Sequence, residues 1–207
     1  MSDEYENNPF SMPVGTVINS SLFEKDKFDE TSKAAYKVEI AFERGALDDV
    51  VEKLMDAADA EWGKGAGEDD DMIWPVLDGD KLAAKREKNG KNGDAYKGKD
   101  VIRANTIFNS HGEDGPGGVA MYNADLSKMD PVADRDEIYN GVTGSAGVKI
   151  GTYHDKRFDR NGMKFYLTAF QKVADGERIG GNTDHSALFK PVGRTEGEAP
   201  KRRSRAG

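Results

Sequence analysis

The alternation of apolar and polar side chains is clearest in two segments and predicts two half-buried β-strands. In residues 35–42 (AYKVEIAF), every second side chain from Tyr36 to Phe42 is apolar, and the polar side chains Lys37 and Glu39 lie on the other face. In residues 163–173 (MKFYLTAFQKV), one face carries Met163, Phe165, Leu167 and Ala169, and the other face carries Lys164, Tyr166, Thr168 and Phe170. Both patterns are typical of strands that have one face on a core and one face in solvent.

The rest of the chain adds weaker strand patterns and one strong helical pattern. Strand-like segments are found at residues 12–23, 100–108, 119–124 and 138–153. Residues 46–62 follow the helical period instead, with an apolar stripe from Leu47 to Trp62 that must cover a core. A parallel sheet would need several crossover helices. We therefore predict a mainly β protein, a five-stranded OB-type Greek-key barrel with one long inserted α-helix and extended loops.

Polar termini divide the chain into three parts. Residues 1–11 are expected to form a disordered arm, residues 12–191 the folded domain, and residues 192–207 a flexible basic tail. There is no apolar run long enough to span a membrane, and the N-terminus lacks the pattern of a signal peptide, so a cytoplasmic location is expected. The absence of cysteine excludes disulfides and thiolate zinc sites.

The net charge of −8 is distributed unevenly along the 207 residues. Residues 43–80 carry thirteen acidic and three basic side chains, whereas residues 81–103 carry eight basic and three acidic ones. Residues 149–172 are also locally basic, and the tail adds Lys201, Arg202, Arg203 and Arg205. Because the local field steers a polyanion, an acidic chain with segregated basic segments is compatible with binding to nucleic acid.

Residues 138–181 carry a series of motifs in a specific order. Tyr139-x-Gly141 opens a strand, Gly162 precedes the last strand, and Asp175-Gly176-Glu177 follows it. Upstream lie Trp74, Asp78-Gly79-Asp80 and Tyr96-x-Gly98. In order and spacing, this series resembles the tailed-phage single-stranded DNA-binding proteins of the OB-fold type, over roughly residues 13–181.

The resemblance implies a non-enzymatic protein that coats single-stranded DNA in phage replication, recombination and repair. It implies no cofactor and no metal, and phage replication proteins as candidate partners. Some family members end in an acidic tail, whereas this chain ends in KRRSRAG, which makes the duplex backbone a second candidate ligand of the tail. A homo-oligomer or a cooperative array on DNA stays open.

Non-specific binding to a single strand needs cations for the phosphates and flat rings for the bases. The side chains expected to supply them are Arg103, Phe108, Tyr122, Lys149, Tyr153, Lys164, Tyr166 and Phe170. For Phe170, packing in the core is an equal alternative to base stacking. Trp74, beside Pro75 and Val76, is interpreted as a core anchor.

The sequence offers no consistent catalytic site. The acidic run 68–71 has the ligand type of a two-metal nuclease but the composition of a flexible loop, and His111, His154 and His185 lack the spacing of a metal site. A second non-enzymatic class remains, an acidic DNA mimic or host-protein binder that acts through residues 43–80. A mimic would not need the segregated basic segments.

Overall fold

The computed structural model describes residues 8–27, 33–69, 71–113 and 117–180. Within these ranges the chain forms eight strands and two α-helices. The strands are β1 (Phe10–Ser11), β2 (Gly15–Asp26), β3 (Ala35–Glu43), β4 (Val76–Asp78), β5 (Lys99–Thr106), β6 (Ala120–Tyr122), β7 (Thr143–Asp155) and β8 (Arg160–Ala174). The helices are α1 (Asp48–Trp62) and α2 (Gly79–Lys88).

Five of the strands pair in a closed circuit. β2 pairs with β3, and β3 with β5, in antiparallel fashion. β5 then pairs with β8 in parallel, β8 pairs with β7 antiparallel, and β7 returns to β2. The remaining strands, β1, β4 and β6, are two or three residues long and extend β7, β5 and β8 respectively.

The predicted mainly β class is therefore confirmed, with eight strands and two α-helices among the described residues. Of the three short strands, β6 lies within the strand-like segment 119–124 predicted from the sequence, whereas β1 and β4 are too short for alternation to define them. The predicted disordered arm 1–11 is also corrected in part, because Phe10 and Ser11 pair with Val148 and Gly147 of β7. Residues 1–7 and the predicted tail 192–207 lie outside the described residues.

The core fills the space enclosed by the circuit and is closed by α1. Tyr36, Val38, Ile40 and Phe42 of β3 are buried, as their alternation predicts. Val50, Leu54, Ala57 and Ala58 of α1 join the same cluster, so the helical stripe has the covering role expected of it. Trp74 packs against this core while partly buried, in agreement with its interpretation as an anchor.

Two of the motifs that carry the family resemblance, Tyr139-x-Gly141 and Asp175-Gly176-Glu177, contact each other and stabilise the fold. Gly141 has a φ of 112°, and a Cβ there would lie 1.8 Å from the carbonyl oxygen of Glu177. The hydroxyl of Tyr139 donates to the carbonyl of Gly176 at 3.1 Å. These contacts fasten the end of β8 to the segment that precedes β7.

The segment Asp78-Gly79-Asp80 begins α2, with Asp78 as its N-cap. The Asp78 carboxylate accepts a hydrogen bond from the Asp80 backbone N–H at 2.9 Å, which caps the helix. The Asp80 carboxylate in turn accepts one from the Gly98 N–H at 2.8 Å. The start of α2 is thereby joined to the segment that leads into β5.

Phe170 belongs to the core, which corrects its assignment to the outer face of β8. The β7–β8 register shifts between Gly147↔Ala169 and Val148↔Leu167, so Thr168 is an extra residue in β8. Such a β-bulge reverses the facing of the residues that follow it. Phe170 is consequently fully buried, with its ring against Gly144, and is not accessible to a DNA base.

Substitution of Phe170 tests this assignment. Phe170→Ala removes a fully buried ring and is expected to lower the free energy of unfolding by about 3–5 kcal/mol, measured by urea denaturation. Phe158→Ala, at the exposed tip of the β7–β8 hairpin, is the matched control and should change stability by no more than about 0.5 kcal/mol. Equal stability of the two variants would place Phe170 outside the core.

Candidate nucleic-acid interface

The β7–β8 hairpin places two tyrosines and two lysines on its outer face. Lys149 lies opposite Tyr166, and Tyr153 lies opposite Gly162, four residue pairs further toward the hairpin tip. Lys164 lies between them, opposite Gly151. We call Lys149, Tyr153, Lys164 and Tyr166 the outer ladder. Its four residues are members of the site predicted from the sequence, and the structure brings them together.

Two glycines allow the tyrosine rings of the outer ladder to lie against the neighbouring strand. A Cβ at Gly151 would lie 2.3 Å from Cε2 of Tyr166, and a Cβ at Gly162 would lie 2.6 Å from Cζ of Tyr153. Any side chain at these positions would push the rings away from the sheet. Glycine in a strand thus marks a close approach here, and the approaching group is an aromatic ring.

Lys164 connects the two rings electrostatically. Its Nζ lies 4.4 Å from the ring centroid of Tyr166 and 5.7 Å from that of Tyr153, within the range of a cation–π interaction. Tyr166 remains 40% exposed, whereas Tyr153 is half-buried, and burial raises the pKa of its phenol. The ladder therefore presents two tyrosine rings with a positive charge between them.

β5 continues this face beyond β8. Asn105 pairs with Tyr166 in the parallel register, and Arg103 lies two residues earlier on the same exposed face. Arg103 is also directly opposite Glu39 of β3. The outer ladder is thereby continuous with the outer face of β3 and β5.

A groove of about 730 Å³ lies over that outer face, between the strands and α2. Its volume is in the range of sites that hold small ligands or nucleotides. Seven of the residues that line it are basic and two, Asp26 and Glu39, are acidic. The basic ones are Lys27, Lys33, Lys37, Lys85, Arg86, Lys91 and Arg103. We call this feature the cationic groove.

The floor of the cationic groove contains a hydrogen-bonded network. The Tyr96 hydroxyl donates to one Glu39 oxygen at 3.0 Å, and Arg103 Nε donates to the other at 2.6 Å. The Arg86 guanidinium lies 4.8 Å from the centroid of the Tyr96 ring. Burial, together with the neighbouring Glu39 charge, raises the pKa of Tyr96 to about 12, so this phenol is neutral at ordinary pH.

Two of the predicted site residues lie apart from the outer ladder. Phe108 is exposed in the segment after β5 and is not among the residues that line the cationic groove. Tyr122 of β6 pairs with Gln171, five residues beyond Tyr166. That separation corresponds to roughly 16 Å along the strand.

Sequence reasoning missed most of the groove. Lys37, Lys85, Arg86 and Lys91 were not chosen as site residues, although the excess of basic residues in 81–103 is a signal for the last three. Lys37 carries no such signal, because alternation alone assigns it only to a solvent face. Its place in the groove depends on where α2 folds back over the sheet.

Two other kinds of feature are absent from the described residues. No group of three His, Cys, Asp or Glu residues there is arranged to hold a metal ion. No helix there is long and apolar enough to cross a membrane.

Comparisons with known proteins agree with the predicted family. Among solved structures, the single-stranded DNA-binding protein of bacteriophage Enc34 in complex with ssDNA is similar, with a TM-score of 0.61 and 13% identity over 82% of this chain and 88% of that chain. The single-stranded DNA-binding protein gp2.5 of bacteriophage T7 gives 0.54 and 15% over 93% and 98%. At these identities the likeness is one of fold. None of the curated protein sequences matches significantly.

A family model described as the ssDNA-binding protein of Enterobacter phage Enc34 matches residues 20–199. This range covers most of the chain and includes the outer ladder and all the basic residues of the cationic groove. The resemblance predicted from the sequence is thereby confirmed. The chain belongs to the Enterobacter phage Enc34 single-stranded DNA-binding protein family.

Proposed function

We propose that this protein binds single-stranded DNA with little sequence preference, with the strand lying across the outer ladder and the cationic groove. The observation that carries the proposal is the outer ladder itself, in which Tyr166 and Tyr153 face outward with Lys164 between them. The adjoining groove supplies further cations on the same side of the sheet. This combination of rings and cations fits a single strand better than a duplex, whose bases are not open to stacking.

The two parts of the site contribute different interactions. Every base has a flat face, so stacking on a tyrosine contributes about 1–3 kcal/mol per base whatever the sequence. The groove cations neutralise phosphates and release counterions, which adds affinity without reading the bases. Measured across the strands, the outer face from β3 through β5 and β8 to β7 is three strand spacings wide, about 14 Å.

The order of the strands in the closed circuit supports this position of the DNA strand. We infer that the circuit β2–β3–β5–β8–β7 is an OB-type Greek-key barrel, since its strand order and its single parallel pair, β5 with β8, follow that fold. OB-folds bind oligonucleotides on the face of their second and third strands, between the loops joining strands one to two and four to five. In this chain those strands are β3 and β5, and the second loop is the β7–β8 hairpin tip.

The biological role follows from the family and from the chemistry. A protein that holds single strands by stacking and charge has a part in phage DNA replication, recombination and repair, where such strands are exposed. The proposed role is non-enzymatic and is exercised in the host cytoplasm. The structurally similar Enc34 protein is described in complex with ssDNA, in accordance with this proposal.

The salt dependence of binding tests the contribution of the cationic groove. Binding to oligo(dT), measured by fluorescence anisotropy, is expected to weaken with a log–log slope of about −0.7 per phosphate contacted. The double variant Lys85→Gln/Lys91→Gln should make this slope shallower by about 1.4. A slope near zero for the wild-type protein would contradict phosphate contacts, and a flow-through on single-stranded DNA-cellulose would favour the DNA-mimic alternative.

The control for this measurement lies on α2, the helix that carries Lys85. Lys81 and Lys88 belong to α2 but do not line the groove. The variant Lys81→Gln/Lys88→Gln removes the same charge and should leave the slope nearly unchanged. If both double variants lose equally, the net charge of the protein matters and the groove does not.

Substitution of Tyr166 tests base stacking. Tyr166→Ala is expected to cost about 1–3 kcal/mol of affinity for oligo(dT), whereas Tyr166→Phe keeps the ring and should bind nearly as well as the wild type. Phe108→Ala removes an exposed ring outside the outer ladder and provides the comparison. A loss in Phe108→Ala as large as that in Tyr166→Ala would place stacking elsewhere. Thermal unfolding of each variant separates a loss of affinity from a loss of fold.

A further inference from the structure

A carboxylate is fixed on the floor of the cationic groove, where the proposed function places DNA phosphates. The Glu39 side chain is only 13% exposed. One of its oxygens is held by Arg103 Nε on β5, and the other by the Tyr96 hydroxyl, which belongs to the segment between α2 and β5. Because two elements hold both oxygens, this negative charge cannot turn away when DNA enters.

The other acid that lines the groove is placed differently. Asp26, at the end of β2, is 57% exposed and pairs with Lys37 at 2.5 Å. An exposed ion pair contributes little and separates at small cost. A phosphate can therefore displace Asp26 from Lys37, whereas Glu39 remains beside Arg103.

Glu39 has two opposing effects on DNA binding. By ordering the Arg103 side chain, Glu39 favours binding by about 2- to 10-fold. A phosphate on the far side of that guanidinium would lie about 7 Å from the Glu39 carboxylate. The two negative charges repel each other. At an effective dielectric constant between about 80 and 20, this repulsion weakens DNA binding by about 3- to 50-fold. The raised pKa of Tyr96 indicates a poorly solvated floor, which favours the stronger repulsion.

We propose that Glu39 is a built-in counter-charge that lowers the affinity of the cationic groove for single-stranded DNA and so promotes release of the strand. This inference rests on the proposed function, because it concerns the same site. It assigns Glu39 a part in setting the strength of binding, through Arg103 and through direct repulsion of phosphate.

Glu39→Gln is the variant that isolates the charge. The glutamine oxygen still accepts from Arg103, and its amide N–H can donate to the Tyr96 oxygen, so the ordering of Arg103 is kept. The matched control is Glu43→Gln. Glu43 is on the same strand and pairs across to Lys99 of β5, as Glu39 pairs across to Arg103, but it does not line the groove.

Affinity for oligo(dT) at low salt is measured by fluorescence anisotropy for the wild type and both variants. Glu39→Gln is expected to bind about 3- to 50-fold more tightly than Glu43→Gln, and the gain should shrink as salt screens the charge. Equal or weaker binding by Glu39→Gln overturns the inference. Failure of the wild type to bind oligo(dT) would overturn the proposed function instead, so the two outcomes are distinguishable.

A second pair of variants answers the same question if Glu39→Gln does not fold. Arg103→Gln leaves Glu39 charged and removes the arginine that pairs with it on the groove floor. The control, Lys85→Gln, also removes one cation from the groove, but Lys85 makes no ion pair with the described residues. If Glu39 repels the strand, Arg103→Gln loses clearly more affinity than Lys85→Gln. Equal losses would show that the carboxylate has no effect on DNA.

Discussion

The antiparallel pairing of β7 with β8 is the interaction on which both the core and the candidate site depend. It runs from Thr143↔Ala174 to Asp155↔Arg160, with one register shift at Val173 near its end and a bulge at Thr168 in its interior. On the tip side of the bulge, Tyr166 and Lys164 face solvent and Phe165 faces the core. On the other side the facing is reversed, which directs Phe170 inward. One extra residue thus decides where the aromatic surface of β8 ends.

The distribution of charge explains how an acidic chain can offer a site for a polyanion. The acids of α1, such as Asp48, Asp49 and Glu52, are carried by a helix whose other face covers the core, and none of them lines the cationic groove. The groove collects lysines and arginines from the end of β2, from β3, from α2 and from β5. Its local field, and not the net charge of −8, is what an approaching strand meets.

The elements were predictable where a local pattern determines them. The alternation in β3 and the helical stripe of α1 identify buried faces correctly. In β8, the face shared by Met163, Phe165 and Leu167 is buried as predicted, and the prediction is correct as far as the bulge. The bulge itself has no signal in single-sequence alternation, so Phe170 was assigned equally to stacking and to the core. The outer ladder was predicted because its residues are neighbours in one hairpin. The groove was missed because its residues come together only through the tertiary fold.

The glycines of the hairpin connect these observations. The number of glycines in 138–153 argues against a well-packed strand. Two of these glycines, however, each make room for an aromatic ring: the Phe170 ring lies against Gly144 inside the core, and the Tyr166 ring lies against Gly151 on the outer face. A ring that lies on a glycine is already in contact with the neighbouring strand before DNA arrives, and this contact restricts its rotamers. Because ordering a side chain on binding costs affinity, this arrangement lets the ladder retain more of the stacking energy. The same hairpin that stabilises the fold therefore pre-orders the proposed binding surface.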